Sequence, residues 1–388
     1  MAPRIAIVHD WIVSMRGGER VLESLCRLYP SAPVFTLRYE RRAVSATIAA
    51  QDVRTAFTDL LARHLPLGPA GFRMLLPLFP KAIESLPLGE FDLVISSSHA
   101  VAKGAIAAPR ALHLSYVHSP MRYIWEAADD YAPAVPGGLL GRLAFAALAR
   151  RLRRWDVAST ARVQAMAANS VYTQTRIRRV YGRDSLVIEP PVDAARFARV
   201  PDPAPAAEGE GIYLCVSALV PYKRVELAVR AFSGPGQRRR LVVVGDGPER
   251  ARLASLAGAN VELRGRVDDD ELLGLYAACR AVVHPALDDF GIVPVEALAA
   301  GRPVVAFAAG GSLDSVRDGE TGVLFAEPTP QALTAALDRL ERLRFEPARL
   351  RVAAQRFDRA TFERRFGAFV DSSWETFVES GLSAPHAR

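Results

Sequence analysis

The chain has 388 residues, 50% hydrophobic and 23% charged, which allows two domains with separate cores and fits a globular protein. Its formal charge is +7 and only Lys81, Lys103 and Lys223 among its 49 basic residues are lysines, a balance that suits an anionic partner: nucleic acid, a membrane surface or a phosphorylated substrate. Cys26, Cys215 and Cys279 lack disulfide or zinc spacing, the N-terminal apolar run is too short for a signal peptide, and no stretch reaches the ~18 apolar residues of a membrane span, so a cytoplasmic location is expected.

Arg4 to His9 reads as a buried strand, and Arg16-Gly17-Gly18-Glu19-Arg20 opens a helix running to about Leu28. A glycine pair at a helix start after a strand is the phosphate-cradle arrangement of dinucleotide-type folds, although capping and close packing explain two glycines nearly as well. Residues 56–88 mix Leu, Phe, Pro, Arg and Lys without clean periodicity. Residues 139–162 place Arg142, Arg150, Arg151, Arg153, Arg154 and Arg162 among Leu, Phe and Trp155, and read as a basic amphipathic helix or pair of helices. Either segment would lie on a membrane with its apolar side inserted and arginines on lipid phosphates, or pack as an ordinary helix with a solvated charged face. Strand-like runs at Asp92–Ser97 and Ala111–His118 intervene, the second continuing into Ser119-Pro120-Met121-Arg122-Tyr123-Ile124-Trp125. His118 thus falls at a strand's C-terminal end, the rim where doubly wound folds bind ligands, although a lone histidine is more often structural. Met166–Ser170, a helix over Val171–Tyr181 and Leu186–Glu189 complete a first domain, 1–195. A Pro/Ala/Gly/Glu-rich hinge follows and is assigned to 196–211.

A second strand-helix alternation occupies 212–360. Ile212–Leu219 is a strand, and Pro221-Tyr222-Lys223-Arg224 leads into a helix ending near Phe232. Leu241–Val244 runs into Gly245-Asp246-Gly247-Pro248, and Val261–Val267 follows. Asp268, Asp269 and Asp270 imitate a metal-binding D-x-D, but Asp268 with Glu271 reads better as a helix N-terminal cap. From His284 to Gly311 a strand, a tight loop, a helix and a second strand follow one another. Pro294 suits the first helical position, which puts Glu296 in the first turn. Asp288 and Glu296, with seven residues between them, would then face one crevice, and the helix start would receive an anion such as a diphosphate. Gly322–Phe325 and helices from Pro330 complete the pattern, an α/β chain of two Rossmann-like domains.

The stretch from Asp288 through FGIVPVEALAAGRPVV resembles the E-x7-E signature of retaining family 4 glycosyltransferases of the GT-B fold, with Asp288 at the first acidic position where the family has Glu. HDWIVSMRGGERVLE, YVHSPMRYIW and VSALVPYKRVELAVRAF resemble further segments of that family, in particular the branch that includes bacterial O-antigen mannosyltransferases. The resemblance implies a GT-B architecture whose domains face a cleft, with a final segment, 361–388, crossing back to the first domain. It implies that the Gly17 and Gly18 backbone approaches the donor diphosphate, that His118 lies near the reacting sugar carbon, and that Lys223 grips the diphosphate. Ala218 occupies the family's arginine position, so Arg224 is the candidate substitute. Gly245, Gly247, Arg266, Val267, Phe290, Gly291, Ile292 and Val293 become candidate donor contacts, with Asp288 and Glu296 on the sugar and ribose. Arg122 and Tyr123 are weaker candidates for the acceptor. No metal and no cofactor are implied.

The resemblance therefore leads one to expect a metal-independent, retaining transfer of a hexose, as mannose from GDP-mannose, to a lipid-linked or polysaccharide acceptor in cell-surface glycan synthesis, at the cytoplasmic face of the membrane. A UDP-sugar or GDP-deoxyhexose donor stays open. Asp288 and Ala218 also motivate an inactive sugar-nucleotide-binding protein. Nucleic-acid binding ranks behind, since the basic residues cluster with apolar residues and no helix-turn-helix, zinc-finger or RNA-recognition signature accompanies them.

Overall fold

The computed structural model describes residues 3–64, 71–125, 138–202 and 211–381. They form two compact units, the first running to Pro191 and resuming at Phe362, the second spanning Val192–Thr361. Half of the expected hinge, residues 203–210, lies outside the described residues.

Among the described residues the first unit holds seven parallel strands: β1 (Ile5–His9), β2 (Val34–Thr36), β3 (Val53–Thr55), β4 (Leu93–Ser98), β5 (Leu112–Val117), β6 (Ala165–Ala168) and β7 (Leu186–Val187), in the order β3-β2-β1-β4-β5-β6-β7. Strands β4 and β5 are buried along their whole length, as a parallel sheet covered on both faces requires. Strands β2 and β3, three residues each, are too short to show a period. Local chemistry sets the helix ends. Glu19 accepts the Arg16 N–H at 3.0 Å where the helix Gly17–Leu28 begins, Ser170 accepts the Thr173 N–H at 2.9 Å, and Gly182, at φ +63°, closes the helix Val171–Tyr181. The helix Arg359–Glu379 lays Phe362, Phe366, Phe369, Val370 and Phe377 on this unit's core, with Phe362 5.7 Å from Tyr116 between ring centres.

Residues 138–159 form one helix, followed by a 3-10 turn over Thr160–Arg162. Its apolar side, left open between lipid and protein by the sequence, packs inward along its second half. Ala149 and Leu152 are buried in the core, and Leu148 and Trp155 rest against it. Asp156 anchors the helix there: it pairs with buried Lys103 and accepts from Trp125 Nε1 at 2.7 Å and Tyr181 Oη at 2.9 Å. Burying that charge is tolerable because each of these partners is a donor.

The second unit carries, among the described residues, six parallel strands: β8 (Ile212–Val216), β9 (Arg240–Val244), β10 (Val261–Gly265), β11 (Cys279–His284), β12 (Val304–Phe307) and β13 (Gly322–Phe325), in the order β10-β9-β8-β11-β12-β13. Asp268 caps the helix Asp269–Ala278 by accepting the Glu271 N–H at 2.8 Å, the role its sequence context indicated. In each sheet the order reverses between two adjacent strands, β1 and β4 in the first unit and β8 and β11 in the second. Loops leaving the C-terminal ends of such a pair diverge and open a crevice for a ligand.

Candidate active site

Lys223 and Asp288 follow β8 and β11, so the strand order brings them together at the reversal of the second sheet. Lys223 Nζ lies 2.6 and 2.7 Å from the two Asp288 carboxylate oxygens. Asp288 is buried, and its carboxyl responds to two opposed effects. Burial pushes the pKa up, but the Lys223 ammonium and His284 outweigh it and hold the group far below the usual carboxylate range. His284 Nε2 stands 3.4 Å from Asp288 Oδ2, near enough to attract but without the alignment of a good hydrogen bond. The two expected site residues are thus joined to each other.

Close backbone approach holds the loop in place. Gly311 N–H donates to Asp288 O at 2.9 Å, and methyl carbons placed on Gly310 and Gly311 would meet Asp288 O at 2.4 Å and Phe290 Cα at 2.2 Å. Gly245, at φ +132°, and Gly247 do the same for the loop after β8. Their methyl carbons would fall 1.8 Å from Ser217 O and 2.3 Å from Leu219 O. These glycines are required by packing, whatever ligand is bound.

One expectation is corrected, and the other candidate residues take the following places. The helix after Gly291 runs Ile292–Ala299, so Pro294 is its third residue and Glu296 its fifth, beyond the first turn. Gly291 takes φ +80° and lets the helix start two residues early. Glu296 is half-buried and accepts from Tyr276 Oη at 3.3 Å. Phe290 is buried, 5.5 Å from Phe357, so its side chain belongs to the core and only its backbone borders the loop. Val267 also rests against that core, and Arg266 is exposed beyond the edge strand β10, two strands from the reversal. Ala218 is exposed. Arg224 is the one non-glycine among the described residues at positive φ, +52°; its guanidinium stacks 4.9 Å from the Phe307 ring centre and leaves Nη1 buried without a hydrogen bond. A strained turn carrying an unsatisfied cationic donor suits an anion site.

The first unit gathers a histidine cluster at its own reversal. His9 ends β1, Ser97 and His99 stand at the end of β4, and His118 follows β5. Ser97 Oγ lies 3.1 Å from His9 Nδ1 and 2.8 Å from His118 Nε2. Asp10, fully buried, accepts four backbone N–H groups, from His99, Ala100, Val101 and Ala102, at 2.6 to 2.9 Å. Burial, reinforced by His99, pushes His118 down to about 3, and burial with His99 and His118 holds His9 well below its ordinary value. Gly18 sits over both rings: its methyl carbon would be 3.5 Å from His9 Cε1 and 3.9 Å from His118 Nε2. Arg122 and Tyr123 lie half-buried on the short helix Arg122–Trp125, Tyr123 against the core. His9, Asp10, Ser97, His99 and His284 are the partners sequence reasoning missed. The run Ser96-Ser97-Ser98-His99 at a strand end, beside His9-Asp10 at another, is the signal that would have found the first four.

The family profile described as "Glycosyl transferases group 1" matches residues 198–357. A D-inositol 3-phosphate glycosyltransferase of Frankia alni is 31% identical, the match covering 70% of this chain and 70% of that protein. The chain belongs to the group 1 glycosyltransferases. A GDP-mannose-dependent alpha-(1-6)-phosphatidylinositol monomannoside mannosyltransferase of Mycolicibacterium smegmatis is also 31% identical, over 53% of this chain and 65% of the relative's length. Among solved structures, Anabaena Alr3699/HepE in complex with UDP and glucose aligns with 96% of this chain and all of its own, at 19% identity and a TM-score of 0.65. That likeness shows the fold: this group 1 glycosyltransferase is a GT-B protein.

Proposed function

We propose that the chain transfers a mannosyl-type hexose from a GDP-linked donor to a lipid-linked or glycan acceptor, with retention of anomeric configuration and without a divalent ion. The observation that carries this reading is Lys223 bound by Asp288 at the reversal of the second sheet, a cation placed where a diphosphate would sit. The donor diphosphate competes with Asp288 for Lys223, with Arg224 and the N–H groups at the Ile292 helix start adding positive potential. Asp288, released, orients the sugar, and Glu296 accepts from its hydroxyls or those of the ribose. The bond from the anomeric carbon to the diphosphate oxygen breaks while the acceptor oxygen bonds that carbon on the same face, and the acceptor proton passes to the departing phosphate. Preorganised charge at the leaving group is the main catalytic term. The GDP-mannose-dependent relative supports the choice of donor.

The test is a thermal-shift screen against GDP, UDP and their sugars, followed by transfer assays with and without EDTA. Stabilisation by GDP and GDP-mannose, with EDTA-insensitive transfer, is expected. Binding without turnover would favour the inactive-binder reading, and a shift with UDP alone would replace the donor.

The acceptor reading carries a membrane component. Arg142, Arg150, Arg151 and Arg154 are exposed on the helix Gly138–Ser159 and form no ion pair among the described residues, and Leu143 beside them is 59% exposed. No described helix is long and apolar enough to cross a membrane. An anionic lipid surface would hold this face chiefly by charge. Binding to phosphatidylglycerol vesicles that falls with salt, and is lost in an Arg150→Glu/Arg154→Glu variant, is the expected outcome.

A further inference from the structure

Strands β1, β4 and β5 are adjacent and parallel, with His9 opposite Ser97 and Ser97 opposite Tyr116, two residues before His118. Ser97 therefore stands between two imidazoles, and its hydroxyl has a single proton. Among the described residues these rings are its only hydrogen-bond partners, so it donates to one ring and accepts from the other.

His9 decides the direction. Its side chain is fully buried, its Nε2 has no hydrogen-bond partner, and Gly18 in the first turn of the helix Gly17–Leu28 lies beside the adjoining Cε1. The positive end of the helix dipole is there. Nε2 adjoins that Cε1, so an N–H there would be both unsatisfied and disfavoured by the nearby positive end, whereas a lone pair is only unsatisfied. His9 thus keeps its proton on Nδ1 and donates to Ser97 Oγ, and the Ser97 hydroxyl donates to His118 Nε2. That leaves the His118 proton on Nδ1, which makes no hydrogen bond among the described residues.

We propose that Ser97, backed by His9, is a positioning residue that holds His118 neutral with its proton on Nδ1, so that His118 offers an N–H donor to a sugar hydroxyl or phosphate oxygen and does not act as a base. Asp10 supports the arrangement by binding the N–H groups of His99 to Ala102, which fixes the chain just beyond Ser97. The proposal rests on the transfer reading only in naming that ligand class. Burial with a neighbouring histidine opposes charging of the ring, in keeping with a donor that stays neutral.

The test is nitrogen-detected NMR of protein labelled with 15N-histidine, with the His118 signals assigned from a His118→Gln variant. The wild-type ring is expected to be protonated on Nδ1, and Ser97→Ala is expected to move it to a mixture dominated by Nε2–H. Ser97→Thr, which keeps the hydroxyl, retains the wild-type pattern. In transfer assays Ser97→Ala should lower kcat about 10-fold with donor KM little changed, the size of one lost hydrogen bond, and Ser97→Thr should restore most of it. An Nε2–H ring in the wild type, an unchanged ring in Ser97→Ala, or equal losses in the Ala and Thr variants would overturn the proposal. If Ser97→Ala does not fold, the wild-type spectrum decides. A protein with the Nδ1–H ring and no transfer refutes the transfer reading alone; active protein with an Nε2–H ring refutes this one alone.

Discussion

The two reversal points share a topology and solve opposite electrostatic problems. In the second unit a full positive and a full negative charge are placed in contact, Lys223 against Asp288. In the first unit His9 and His118 are kept neutral by burial and linked through a hydroxyl. The glycines divide the same way. Gly245, Gly247, Gly310 and Gly311 leave no room for a methyl group, whereas Gly18 leaves ordinary contact distance. One site has no room for a side chain at its glycines and carries a charged pair, the other leaves ordinary contact distance at Gly18 and links two neutral imidazoles.

The largest effect should come from breaking the charged pair. Lys223→Ala leaves a buried carboxylate unpaired, and we expect turnover to fall at least about 100-fold and stability by roughly 3 kcal/mol. A Lys223→Ala/Asp288→Asn double variant should recover most of the stability and none of the turnover, as read by urea unfolding beside transfer assays. Turnover kept in Lys223→Ala would remove the lysine from the mechanism.

Gly245→Ala forces a methyl group onto Ser217 O at a positive φ, and should destabilise the fold by about 2–3 kcal/mol in the same unfolding experiment. The neutral histidines predict a pH dependence of defined sign. His118 titrates at about 3 in the folded protein against an ordinary 6.5, and His113, buried beside Ser96, at about 4. Between these values the unfolded chain binds more protons than the folded one, so stability is full above about 6.5 and declines as the pH falls toward 4. The Asp288 contribution is lost only below its ordinary 3.8, so the two sites separate along the pH axis. His118→Gln should flatten the decline between pH 6.5 and 4 in melting curves; an unchanged slope would place the ring in solvent.

The smallest stability change belongs to Gly18→Ala, within about 0.5 kcal/mol, since the methyl group meets no clash. Its turnover should nevertheless drop, because the methyl group would stand 3.5 to 3.9 Å from ring atoms of His9 and His118 and take up the space beside them. An unaffected turnover would mean that the open space above those rings is idle.

Much of the fold was legible because its signals are local. Apolar runs such as IAIVH and LVISSS mark strands, and Ser170, Gly182 and Asp268 mark helix ends through contacts with residues at most four positions away. The segment from Asp288 to Gly311 could be read as a unit for the same reason. Its start could not be placed within two residues, because Pro294 is compatible with several helical positions and the positive φ of Gly291 selects among them.

By itself, the sequence determined the alternation of strands and helices, the family, and the residue types available for chemistry. The tertiary structure alone decided their partners. Lys223 meets Asp288 across 65 positions, and Ser97 meets His9 across 88, because strand order and register, set by burial over a whole sheet, choose which loop ends become neighbours. The same packing turned the apolar side of the 138–159 helix into the core, a choice its sequence left open between protein and lipid. Both environments accept leucine and tryptophan; only a buried Lys103 awaiting Asp156 distinguishes one from the other.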